Sequence, residues 1–182
     1  YGQYFDDPAW KDAFRSEMRH VVDLIHGSLE LPSRPGHASG RYDADVSRWT
    51  AAYIIGREWE PFAVKAYDSL HPGAVRYAGR YLASDAAPAM DAWMAEQCDY
   101  LLAYEADRWN ALRPIAYTNW PTLDPLHHPT ESSTAEERAW RRRAGRPLVG
   151  QKLEYENDAI GLDANLVRPT ASNPAGWFAS YH

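Results

Sequence analysis

The chain contains one cysteine, Cys98, among 182 residues, so neither an intrachain disulfide nor a cysteine-rich zinc site can form. No apolar run approaches the roughly 20 residues that a membrane helix requires. A basic excess is missing too. The formal net charge is -6, whereas proteins that grip a phosphate backbone carry a surplus of lysine and arginine. The only basic cluster, Arg141-Arg142-Arg143, lies close to Glu136 and Glu137 and reads as a solvated helix face. No G-x-G-x-x-G or Walker loop follows a strand-like run, which removes support for nucleotide binding. These absences exclude nucleic acid, membrane and nucleotide as expected partners, and no cofactor is expected.

What the chain does have is aromatic surface. Eight Trp and twelve Tyr supply flat rings with a polar handle, suited to packing and to stacking against sugars or bases. The length suits a single domain with one core. The start at Tyr1 without Met, and the stop at His182 just after a strand-like run, read as a piece of a longer polypeptide.

Helix signals are clear. Asp6-Asp7-Pro8 is a helix start, an Asp cap followed by a first-turn proline, and Trp10, Phe14, Met18, Val21 and Ile25 then mark one helical face up to Gly27. Residues 28–46, with Pro32, Pro35, Gly36 and Gly40, read as a loop that includes His37. Pro61 to about Leu70 predicts a short helix, and Arg76 to Leu82 is ambiguous. Asp85 and Pro88 open a long helical segment that runs to about Trp109, with Met90, Met94, Cys98, Leu101 and Leu102 as its buried stripe. Asp91, Glu96, Asp99, Glu105 and Asp107 are placed largely outside that stripe. Ser133 to Glu137 fits a capping box.

Three runs read as strands. The first, Ala51 to Ile55, has the length of a strand buried on both faces and ends in Gly56-Arg57-Glu58-Trp59-Glu60. The second, Arg113 to Asn119, ends near Trp120, Asp124, His127, His128 and Glu131; the third is Gly176 to His182. Strands separated by helical stretches imply parallel pairing through right-handed crossovers. The expected fold class is α/β: part of a (β/α)8 TIM barrel, with an open doubly wound sheet as the alternative. Polar residues at the carboxyl ends of such strands are where these folds keep their chemistry. His127, His128, Asp124 and Glu131 could be read as a metal cluster, but adjacent histidines point in different directions. Asn157, Asp158 and Asp163 lack calcium-loop spacing. No metal is expected.

Ile54-Ile55-Gly56-Arg57-Glu58 resembles the L-G-N-E segment ending barrel strand four in the retaining glycoside hydrolases, nearest the β-galactosidase/β-glucuronidase branch. Arg113-Pro114-Ile115 resembles the R-P-V start of strand five. The resemblance implies a middle fragment covering strands four to six and action on glycosidic bonds. It makes Glu58 the general acid/base, with a raised pKa, and places the nucleophile outside this chain. Glu58 is preferred to Glu60 on register. Arg57 stands where that family has asparagine, a departure that puts a fixed positive charge beside the acid. Arg57, Trp59, Glu60, Tyr117, Asn119, Trp120, Tyr181 and His182 are the implied substrate-binding residues. A non-catalytic carbohydrate-binding or scaffold module is the alternative function. An incomplete barrel would leave sheet edges unpaired, so the remainder of the barrel or a second copy is the expected partner besides carbohydrate.

Overall fold

The computed structural model describes residues 2–119, 121–126, 142–146 and 161–181. A 3-10 turn, Gln3–Asp6, leads into helix α1, Pro8–Ile25. The Asp7 carboxylate accepts from the Ala9 amide at 2.8 Å, satisfying one of the free donors of the first turn. The α1 helix buries Met18, Val22 and Ile25. It ends before Gly27, whose φ of 65° and close approach to the backbone of Ala44 leave no room for a side chain.

Residues 28–46, expected as a loop, contain an antiparallel hairpin of β1 (Leu29–Leu31) and β2 (Gly40–Tyr42). Strand β3 is Tyr53–Ile55 and helix α2 is Pro61–Leu70. The ambiguous stretch falls in a hairpin of β4 (Val75–Ala78) and β5 (Leu82–Ala87), which pair antiparallel, so Asp85 lies in a strand and not at the opening of the long helix. Helix α3, Ala89–Trp109, precedes β6, Ile115–Tyr117, and β7 is Arg168–Pro169 on the other edge of β5. Strands β3 and β6 pair parallel, and single parallel bridges join Ile115 to Trp177 and Thr118 to Ser180.

The described residues therefore form a small α/β fold with three open sheets, and the (β/α)8 barrel expectation is corrected. Two of the three sheets are antiparallel. The link from β3 to β6 carries α2, a β4-β5 hairpin and α3, where a barrel unit would carry one crossover helix. Nothing described pairs with the outer edge of β3, so that sheet does not close. Strand β3 is not buried on both faces either, because Ile54 is 52% exposed. The local resemblance to glycoside hydrolase strands was carried by segments of three to five residues. Such short segments specify a strand and a turn, not the strand count or shear that closes a barrel.

Helix α3 is the centre of the core, and its acids are corrected with it. Met90, Met94, Cys98, Leu101 and Leu102 are buried as expected, but so are Asp91, Asp99 and Glu105. The helix is enclosed by α1 on one side, by α2 and β4-β5 on others, and by β6. With no solvent face left along much of its length, its acids go inside and find partners there. Asp99 accepts from the amides of Arg80, Tyr81 and Leu82 at 3.2, 2.6 and 2.7 Å, folding the turn before β5 around its carboxylate.

Glu105, with no exposed surface, accepts from Tyr53 Oη and His26 Nε2, each at 2.9 Å, and forms an ion pair with Arg113. Arg113 also donates to the carbonyls of Thr50 and Ser47 at 3.0 and 2.8 Å. Desolvation and the Arg113 guanidinium hold His26 below the ordinary imidazole range. A neutral ring that donates Nε2–H to the carboxylate fits that direction.

An aromatic core fills the space between α1, α2 and α3. The Phe5 ring lies 5.0 Å from Trp93 and 5.3 Å from both Trp10 and Tyr67. Along α1 and α3, Arg15 pairs with Glu96, and Tyr104 and Arg108 both reach Asp23, so the two helices run in the same direction.

Breaking the central ion pair leaves a charge stranded in the interior. Arg113→Met is expected to lower unfolding stability in urea by roughly 3–5 kcal/mol. Gly79→Ala is expected to cost about 1–3 kcal/mol, because a Cβ there would lie 2.5 Å from the Asp99 carboxylate and push it off its three amides.

Candidate functional site

The parallel strands bring one set of chain ends together. Ile55 lies opposite Tyr117, the Thr118 amide donates to Ile55 O at 3.0 Å, and Thr118 Oγ1 donates to Gly56 O at 3.1 Å. On the other side the Asn119 amide donates to Ser180 O at 3.0 Å. Gly56, Thr118 and Ser180 thus stand abreast at the carboxyl end of the sheet. Arg57-Glu58, Asn119 and Tyr181 all leave the sheet at this end. Gly56 adopts a φ of 80° there and carries the Trp59 indole directly against its Cα face.

The residues singled out in the sequence take different positions. Glu58 and Arg57 are exposed. Glu60 is exposed as well, and its Oε2 accepts from the Ala63 amide at 2.8 Å, making it the N-cap of α2. Trp59 is half-buried and turns into the aromatic core, 5.9 Å from Phe14 and 5.8 Å from Trp93. Tyr117 is 1% exposed, with its ring 5.5 Å from Trp177. Asn119 is buried and donates from Nδ2 to Leu162 O at 3.0 Å. Tyr181 is half-buried. Trp120 and His182 lie outside the described residues, as do His127, His128, Glu131, Asn157 and Asp158. Among the described residues no group of three or more His, Cys, Asp or Glu side chains could hold a metal ion.

Sequence reasoning missed the most unusual group at this end of the sheet, Asp91. It lies in the first turn of α3, is 1% exposed, and accepts from the Asp163 amide at 2.8 Å through Oδ1. Among the described residues its Oδ2 has no hydrogen-bond partner, and neither does the buried hydroxyl of Tyr117. Burial, and then the negative charges of Asp68 and Asp163, push the Asp91 carboxyl up to about 7. The same field, after burial, raises Tyr117 through Asp91 and raises Tyr181 through Asp163, Asp124 and Asp91. Asp91, Tyr117 and Tyr181 therefore feel one acidic neighbourhood.

A signal for Asp91 was present in the spacing. Asp91, Ala95, Cys98, Leu102 and Glu105 recur at intervals of four, three, four and three, and all five are buried. This stripe runs under the parallel sheet with an acid at each end. Glu105 meets Tyr53 at the start of β3, and Asp91 acts on Tyr117 at the end of β6. Compared with protein-family models, with curated proteins and with solved structures, the chain matches none.

The raised Asp91 has a consequence for stability. The unfolded chain releases this proton near pH 4, whereas the folded chain keeps it to about pH 7. Between those values the folded state binds more protons, so stability falls as pH rises, by up to roughly 1.4 kcal/mol per pH unit. Asp91→Asn retains an acceptor for the Asp163 amide and is expected to flatten that slope in urea unfolding measured from pH 4 to pH 8. An unchanged slope would show that Asp91 is ionised in the fold.

Proposed function

We propose that this chain acts on glycosidic bonds, binding a carbohydrate at the carboxyl end of its parallel sheet, with Glu58 as the proton donor. The observation that carries this reading is the convergence of Gly56-Arg57-Glu58, Asn119 and Tyr181 at one end of three parallel segments. Among the described residues, the buried Asp91 Oδ2 and Tyr117 hydroxyl lack partners, which favours a ligand that brings its own donors and acceptors, as a sugar does. Glu58 would hand a proton to the leaving oxygen, and a retaining reaction also requires a second carboxylate about 5 Å away as nucleophile. That nucleophile is assigned to residues outside this chain.

The exposure of Glu58 favours a second reading, a carbohydrate-binding module that performs no cleavage. A proton donor in bulk water gains nothing from the low-dielectric surroundings that usually tune such groups.

The two readings separate in one pair of measurements. If the first holds, this chain joined to the residues that supply the nucleophile hydrolyses members of a panel of aryl glycosides, and Glu58→Gln in that protein lowers kcat/KM by about 10²–10⁴-fold while oligosaccharide binding persists. Binding without turnover, unaffected by Glu58→Gln, would establish the module. Turnover that survives Glu58→Gln would remove Glu58 as the acid.

A further inference from the structure

Two adjoining cavities, of about 300 and 210 Å³, share His71 and Ala89 in their walls. They lie where the end of α2 meets the β4-β5 hairpin and the first turns of α3. The larger is walled by small residues, among them Gly73, Ala74 and Ala87, with Asp68 and His71 as its polar side chains. The smaller has the rings of Tyr67, Tyr77 and Trp93 in its wall, with Arg76 and Glu96 beside them.

His71, at the junction, is held in place. Its Nε2 donates to Asp6 Oδ2 at 2.8 Å, Tyr67 Oη donates to Asp6 Oδ1 at 3.0 Å, and the Tyr67 and His71 ring centroids are 4.6 Å apart. One ring nitrogen is thereby committed, and Nδ1 is left for a ligand. Asp68 Oδ1 accepts from the Met90 amide at 2.8 Å, and a carboxylate has capacity for further bonds. Glu96 is engaged by Lys11 and Arg15 at 3.3 and 2.6 Å, so its charge is compensated.

These walls select a ligand class. Asp68 in one cavity repels an anion, and Arg76 in the other repels a cation. Hydroxyls suit both, because each can donate to a carboxylate and accept from a guanidinium. The rings add flat apolar surface, which matches the C–H face of a sugar. Both volumes lie at or below the small end of ligand sites, so each cavity holds one small ring. We propose that this groove binds a neutral disaccharide, one unit in each cavity with the linkage beside His71. It is a second carbohydrate site, because Glu58 adjoins Glu60 at the opposite end of the ten-residue helix α2, about 15 Å away. The ligand class follows from these walls and does not depend on Glu58; that the sugar serves a protein acting on carbohydrate rests on the function proposed above.

The test titrates cellobiose, lactose and maltose, with glucose and galactose, into the chain while the His71 ring signal is followed by NMR. Glycylglycine, which carries one charge of each sign, is the contrast ligand. At least one disaccharide is expected to move the His71 signal and to bind at least about tenfold more tightly than its component monosaccharides. Arg76→Ala, and Asp68→Asn, which keeps an acceptor for the Met90 amide, are each expected to lower that affinity about tenfold. Full affinity in both variants, or monosaccharides that bind as tightly as disaccharides, overturns the proposal. So does a His71 signal moved by glycylglycine and by no disaccharide. Shifts at the Gly56 and Asn119 amides with His71 unmoved overturn the groove and leave carbohydrate binding at the end of the sheet standing. Shifts at His71 with those amides unmoved support the groove whatever becomes of Glu58. These signals are read on the unsubstituted chain, so the outcome holds whether or not either variant folds.

Discussion

The buried carboxylate of Glu105 is the constraint on which most of the arrangement depends. One oxygen gathers Tyr53 from the first parallel strand, His26 from the end of α1 and Arg113 from the approach to β6. Arg113 extends the reach to the carbonyls of Ser47 and Thr50. Four chain segments are thereby registered on one turn of α3. A buried pair of this kind adds little net stability, because desolvation offsets the Coulombic gain. Removing either partner would strand a charge in the interior, so a packing that keeps Glu105 inside has to keep Arg113 beside it.

From that point the α3 stripe runs to the opposite end of the sheet and finishes in Asp91. The two acids share a helix face and differ in what surrounds them. Glu105 meets a guanidinium and two further donors. Asp91 meets one backbone amide and the negative charges of Asp68 and Asp163, so its carboxyl keeps its proton to about pH 7. The charged and hydroxyl donors gather round Glu105 at the amino end of the strands, and Asp91 at the carboxyl end has no such set.

Much of the local structure was legible. The apolar spacing from Trp10 to Ile25 with the Asp7-Pro8 cap, and the run from Met90 to Leu102, located α1 and α3 close to their observed limits. The strand-like runs near residues 53 and 115 were found as well, and with them the turn at Gly56. The barrel was not there to be read. Local motifs at the ends of β3 and β6 carry no information about what pairs with the outer edge of β3. The β4-β5 hairpin, where apolar and polar residues do not alternate cleanly, gave no period to follow. Aromatic residues misled in a similar way: Trp59 suits a sugar platform by type, yet it packs among Phe14 and Trp93 because the turn at Gly56 directs it inward.

Read alone, the chain specifies where helices start and stop, which residues are apolar enough to be covered, and that a glycine must occupy the turn after β3. These properties depend on neighbours within a few positions, and backbone sterics and side-chain spacing enforce them locally. Assembly alone chose which acids went inside and what each one met there. The charge state of Asp91 follows from elements distant in sequence, α2 and the segment at Asp163, closing over one side chain, and no spacing rule encodes that desolvation.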